Sequence, residues 1–349
     1  MNTEFQREGS DRPWILRFLG YGLAVVSLVC LIWVLHDFHI VRALHQLANV
    51  DWEWVAIGMA FDVLSYIVQA VRWKILLIPF GRVRLGRSIR AVFAGLFANV
   101  ILPLRPGEFL RSYLLSTSEG ITLGRAIGSV GVERLIDLVI ATASLAIASL
   151  FVDLGQRLQR FRRIADTLGI VTLILLTILV LIILILEVKL GNKPESEEPR
   201  TGIRGKLVDA LLALHTIGTA PSFYSAVMTS LLMPFCQILA LWALMRSYHM
   251  HLPFVAAVVV LLIINLGVSL PNAPANIGSY QLFCVLGLSV FDVDSTTRTG
   301  FSIFAFLALT LPLVFLGFAA LLRSGLSLHT MREKVGHIPG QPQKHAVQT

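Results

Sequence analysis

The sequence predicts an all-α fold, a polytopic integral membrane helical bundle with two broken or re-entrant segments related as an inverted repeat. Three observations lead there. The 349 residues are 56% hydrophobic and 14% charged, and the mean hydropathy of +0.76 is too high for a soluble domain. Apolar runs of about twenty residues, the length that crosses a hydrocarbon core, recur along the chain. Two of these runs, one in each half, break at Leu-Pro: NVILPLRPGE and GVSLPNAPANIG.

Residues 1–13 read as a cytoplasmic N-terminal segment, 14–322 as the membrane domain and 323–349 as a polar tail. The first run, Trp14 to Leu35, is longer than a signal-peptide core and has no small-residue cleavage site, so a retained helix is expected. The second runs from about Trp54 to Ile78. GRVRLGRSIR follows, and its Arg82, Arg84, Arg87 and Arg90 place it inside. The first broken segment covers about Ile89 to Leu115, and a long apolar run, Leu123 to Phe151, contains VERLID. After QRLQRFRR comes a span at about Ile164 to Leu186, then the polar loop KLGNKPESEEPRTGIRGK. An amphipathic piece, Leu207 to Leu214, leads into a span from Ser222 to Tyr248. The second broken segment starts at Pro253, and the last span covers Phe301 to Leu322. If each broken segment crosses fully, QRLQRFRR is cytoplasmic, as its four arginines suggest. If each is a hairpin, the hairpins enter from opposite faces, as an inverted repeat requires. The hairpins are favoured, with the arginine loop as an interfacial helix.

The net charge of +8 fits cytoplasmic loops. Its residues flank apolar segments, which argues against nucleic acid. Cys30, Cys236 and Cys284 form no CxxC pair and read as small buried hydrophobes. No HExxH, Walker loop or GxSxG is present, and His249 with His251 makes a poor metal site; no cofactor or metal is expected.

The breaks carry the chemistry. Pro103, Pro106 and Gly107 interrupt the first segment, and Pro271, Pro274 and Gly278 the second. A proline frees a carbonyl one turn earlier, and free backbone at membrane depth is tolerated only against protein or a wet cavity. Arg105 and Arg111, with Glu108 between them, suit a phosphate-bearing headgroup. Glu133, Arg134 and Asp137 share one helix face amid apolar residues, where they should pair with one another or anchor Arg105 and Arg111. Gly124, Gly128 and Gly131 allow close packing of that helix. Asp62, Tyr66, Gln69 and Arg72 share one side of the second span; Arg72 and Lys74 are near enough to its end to snorkel, while the deeper Asp62 should meet a partner or a proton path. Asn265, Asn272, Asn276 and Gln281 supply neutral amides at the second break, first of all to freed backbone. The candidate substrate-binding set is thus Arg105, Glu108, Arg111, Glu133, Arg134, Asp137, Asn272, Asn276 and Gln281, with no catalytic residue.

Four pieces carry a resemblance: Arg72-Trp73 before Leu76-Leu77; Leu102-Pro103 before Arg105, Gly107, Glu108 and Arg111; Glu133-Arg134 with Asp137; and Leu270-Pro271 with Pro274 and Gly278. On these the chain resembles the transmembrane flippase domain of lysylphosphatidylglycerol synthases, including stand-alone relatives and hopanoid-cluster membrane proteins. The resemblance implies translocation of a lipid or lipid-linked intermediate between leaflets of the cytoplasmic (plasma) membrane; a lipid-biosynthesis enzyme is a further expected partner. The family often has a glutamate where this chain has Gln281, which departs from any cationic-headgroup role there. No acyltransferase-like domain is present in these residues, so synthesis of the aminoacyl lipid is not expected of them. The alternative class is a membrane enzyme or biosynthetic-complex subunit acting on a polyprenyl-linked or hopanoid lipid.

Overall fold

The computed structural model describes residues 47–102, 105–151, 202–269 and 274–324, with Val29, Ile32, Thr167 and Ile174. The expected spans at Trp14–Leu35 and Ile164–Leu186, the QRLQRFRR loop, most of the polar loop and nearly all of the tail lie outside them. Every regular element among the described residues is helical. Helix α1 is Trp52–Leu76, α2 Leu85–Ile101, α3 Gly107–Glu119, α4 Leu123–Phe151 and α5 Gly202–Thr219. Helix α6 is Ser222–Ser247, α7 Phe254–Ser269, α8 Ser279–Leu288 and α9 Ser295–Leu322. Local chemistry sets several ends. The Asp51 carboxylate caps α1 by accepting from the Glu53 amide at 3.1 Å, and Asp294 caps α9 by accepting from Thr297 at 3.0 Å. Gly120, at φ 71°, ends α3 in the left-handed conformation.

Helices α1, α6 and α9 are long and apolar enough to cross a membrane. Helices α2 and α3 are not: at 17 and 13 residues they rise only about 25 and 20 Å, less than a hydrocarbon core of about 30 Å. They form an antiparallel hairpin. At its open end the Arg84 amide and the Arg87 guanidinium meet the Glu119 carboxylate at 3.1 and 3.2 Å. Near its tip Gly95 and Gly107 are in direct backbone contact; a Cβ on Gly107 would lie 1.9 Å from the Gly95 carbonyl oxygen. Helices α7 and α8 repeat the design. Gly287 packs on Val260, and Gly267 lies flat against the Phe283 ring. Helix α8 was not foreseen as a separate element, because its ten residues continue an apolar run interrupted only by glycine and turn residues.

The order long helix, hairpin, long helix occurs twice, as α1, α2–α3, α4 and as α6, α7–α8, α9. The counterparts α1 and α6 are the most extensively packed pair, and they run antiparallel. The Asp51 amide donates to the Ser247 carbonyl at one end, Gly58 touches Ala240 in the middle, and Arg72 reaches Ser230 at the other. The remaining contacts are reciprocal: α2 packs on α9, and α7 on α4. Antiparallel counterparts with swapped contacts are what an inverted repeat requires. The hairpins meet near their tips, where the turn Pro274–Asn276 rests on α2. Leu241, Leu244, Met245, Val260, Ile264, Leu288 and Phe301 fill the main core between α6, α7, α8 and α9. Helix α5 lies on α4, where Gly128 meets the Ala210 backbone and leaves no room for a Cβ.

Candidate functional site

The polar residues of the first half converge on α1. Its buried stripe runs Val55, Gly58, Asp62, Ser65, Gln69, Arg72 and Leu76, at helical spacing. The Arg72 side chain is wholly enclosed, at 0% exposure, as is that of Glu133 on α4. One guanidinium nitrogen of Arg72 donates to Glu133 at 2.7 Å and to Asp137 at 3.3 Å; the other donates to Asp137 and, at 3.3 Å, to the Ser230 hydroxyl of α6. The second oxygen of Glu133 receives Arg111 of α3 at 2.5 Å. Glu133 therefore clamps arginines from two helices onto a third. Arg111 also lies 5.0 Å over the Trp73 ring, whose indole N–H donates to Ser129 at 2.9 Å.

Around this core is a more open shell. Arg134 is 48% exposed; it faces Glu108 at 3.5 Å and Asp137 at 3.6 Å, and those carboxylates are themselves partly exposed. Charges open to hydrocarbon are costly, so an exposed arrangement of this kind calls for water or a polar group beside it. Counting the shell, the core and Arg105, four arginines face three carboxylates.

The breaks are built differently from their sequence reading in one respect. Arg105 lies within electrostatic reach of Glu108, yet among the described residues it forms no ion pair. Its guanidinium donates to the Val268 carbonyl at the end of α7, joining the hairpin tips. The residue adopts φ 54°, a costly left-handed geometry for a side chain other than glycine. The expected pairing of Arg105 with a carboxylate is corrected accordingly. The last carbonyls of a helix have no intrahelical donor, and at the end of α7 the arginine supplies one. Across the tip of the first hairpin, Asn99 of α2 accepts from the Gly107 amide at 2.7 Å. At the other, Gln281 accepts from the Gly278 amide at 2.8 Å. Each hairpin thus uses a side-chain amide to satisfy the orphan donor at its second helix. Ala275 and Asn276 both adopt φ 58° in the connecting turn, and Pro106 precedes α3 as its cap residue. Pro103, Pro271 and Asn272 lie outside the described residues.

Sequence reasoning brought Arg111, Glu133, Arg134 and Asp137 together correctly in kind. It missed the hub: Arg72 does not snorkel but sits at the centre of the cluster. Being last but four in an apolar helix, it looked like an end residue. The readable signal was its helical register with Asp62 and Gln69. Ser230 and Asn99 were also missed, since nothing local marks a serine or asparagine in an apolar helix as a polar partner. Cys236 and Cys284 are buried and free, as expected, and Cys30 lies outside the described residues.

Comparison with known proteins places the sequence in a family. Residues 19–317 match the family model described as the lysylphosphatidylglycerol synthase TM region. The chain is 23% identical over 291 residues, 79% of its length and 85% of the relative's, to a UPF0104 membrane protein of Methanothermobacter thermautotrophicus. It is 29% identical over 121 residues, 34% of its length and 36% of the relative's, to a UPF0104 membrane protein of Methanocaldococcus jannaschii. No solved structure matches the chain.

Proposed function

The chain belongs to the lysylphosphatidylglycerol synthase TM-region family, and from that premise we propose that it moves a lipid or lipid-linked intermediate between the leaflets of the cytoplasmic membrane. The observation that carries this reading is the half-open charged shell of Arg134, Glu108 and Asp137 beside two helical hairpins that meet near their tips. A headgroup crossing a bilayer needs a polar path, and acyl chains need none. Short broken helices that line a wet space while their outer faces stay apolar meet both needs. The buried Arg72–Glu133–Arg111 clamp holds α1, α3 and α4 together and leaves the outer charges free to serve the headgroup.

The headgroup is anionic. Four arginines against three carboxylates leave one positive charge in excess, and Arg105 carries it at the junction of the hairpins. A phosphate can take the hydrogen bond that Arg105 now gives to the Val268 carbonyl. Gln281 and Asn99 are engaged with backbone and fix the hairpin tips. An enzyme that makes or consumes the same lipid is a fitting partner, because net flow through a path without a nucleotide motif requires either a gradient or removal of product.

The test is reconstitution of the full chain in vesicles with fluorescent anionic, zwitterionic or cationic lipids. Anionic lipid should move fastest, and Arg105→Gln should slow it most. Equal rates with and without protein would overturn translocation; selective movement of the cationic lipid would overturn the anionic assignment.

A further inference from the structure

Among the described residues, one buried carboxylate forms no ion pair. Asp62 lies in the first half of α1 at 5% exposure, and its Oδ2 has no hydrogen-bond partner. No arginine or lysine among the described residues forms an ion pair with it. Two other buried polar groups of this region are also unsatisfied. Tyr280 of α8 is within electrostatic reach of both Asp62 and Tyr66, and its hydroxyl is buried without a partner. Gln69, two turns further along the same face of α1, has an unpartnered Oε1. The groups that face Asp62 are Tyr66 from its own helix and Tyr280 from α8. Arg105, at the hairpin junction, interacts with Tyr66. Among the described residues of the other helices packed on α1, namely α2, α4, α6 and α9, no ionised group forms an ion pair with it.

An ionised carboxylate taken from water with neither cation nor donor is strongly disfavoured, and such a group becomes neutral instead. The one ligand that needs no cavity here is a proton. We propose that Asp62 is a proton-binding site whose proton is exchanged with water as the hairpins move, so that proton binding is coupled to the lipid translocation proposed above. With the proton on, the neutral acid tolerates its enclosure and becomes a donor that a buried tyrosine oxygen can accept. With the proton off, the carboxylate needs a cation. Arg105 fits that role, because among the described residues its guanidinium donates to the Val268 carbonyl and forms no ion pair with an acid. Release of that carbonyl would part the hairpin tips and free Arg105 to face Tyr66 and Asp62. The step is a simple acid–base exchange: one proton leaves the carboxyl for water, and the negative charge left behind is balanced by an existing arginine.

This inference rests on the translocation reading, and two measurements separate their failures. The first treats the purified full chain with a membrane-soluble carbodiimide, which captures protonated carboxyl groups, and maps the adduct by peptide mass spectrometry. Asp62 should be modified at neutral pH while Glu133 and Asp137 are spared. Absence of an Asp62 adduct, or equal labelling of Glu133, would overturn the proton site whatever the lipid assay shows. The second follows the steady-state distribution of a fluorescent anionic phospholipid between leaflets of vesicles under an imposed pH gradient. Coupling of one proton should shift the leaflet ratio by up to about tenfold per pH unit, and Asp62→Asn should erase that shift. Labelled Asp62 with a gradient-insensitive ratio would overturn the coupling. If no lipid moves at any pH, translocation and its coupling both fall, while the carbodiimide result alone still decides the proton site.

Discussion

Helix α1 carries two buried charges about 15 Å apart along its axis, and the protein treats them in opposite ways. Arg72 has two carboxylates and a hydroxyl arranged around it, contributed by α4 and α6, and its main acid is shared with Arg111 of α3. Among the described residues Asp62 forms no ion pair, and its Oδ2 has no hydrogen-bond partner. The two halves of one helix therefore serve different purposes. The matched end ties three helices and a hairpin into a rigid body, since breaking any of its contacts strands a full charge away from water. The unmatched end stores no such penalty while neutral and is free to change state. A transporter needs both, a fixed frame and a place where a small ligand alters the balance between conformations.

The comparison can be broken most severely at Glu133. Glu133→Ala removes the acid from two enclosed arginines at once and should cost about 3–5 kcal/mol, read as a large fall in the thermal unfolding temperature of the detergent-purified protein. Gly107→Ala should cost about 1–3 kcal/mol by overpacking, because its Cβ would meet the Gly95 backbone and push α3, with Arg111, away from the clamp. The same thermal measurement should show partial loss, and Gly120→Ala, in open surroundings but at positive φ, should be milder. Arg134→Ala touches only the half-open shell, so its stability cost should stay below about 1 kcal/mol. Lipid movement in vesicles should nonetheless fall several-fold relative to Arg84→Ala, a change at the open end of the first hairpin. Asp62→Asn sharpens the contrast from the other side: the buried atom it replaces has no partner to lose, so stability should stay within about 0.5 kcal/mol. Loss of several kcal/mol there would mean that Asp62 is a structural partner after all.

The legible parts were those written locally. Trp52–Leu76, Leu123–Phe151, Ser222–Ser247 and Phe254–Ser269 were each found to within a few residues, because an apolar run bounded by polar residues is its own signal. The last helix starts at Ser295, earlier than read, since its first turn is polar and capped by Asp294. Gln281 was read as serving freed backbone before any ligand, and its bond to Gly278 agrees. The hairpins were favoured over full crossings, and the contacts of Gly95 with Gly107 and of Gly287 with Val260 give that geometry. The misreadings were Arg72 and Arg105. Each is a long flexible side chain whose partner lies on another helix, Asp137 or Glu133 in one case and the Val268 carbonyl in the other, and sequence position carries no trace of that choice.

By itself, then, the sequence determined that this chain lives in a membrane, that it is helical, and where its helices break. Those follow from hydropathy, from the fixed rise of a helix and from the missing amide of proline, all properties of neighbouring residues. The tertiary structure alone decided which charges are matched. The antiparallel packing of α1 on α6 and the folding of α3 against α4 bring Arg72, Arg111, Glu133 and Ser230 to one point and leave Asp62 outside it. Ion pairing acts over a few ångströms in space between residues scores apart in the chain, and only packing sets those distances.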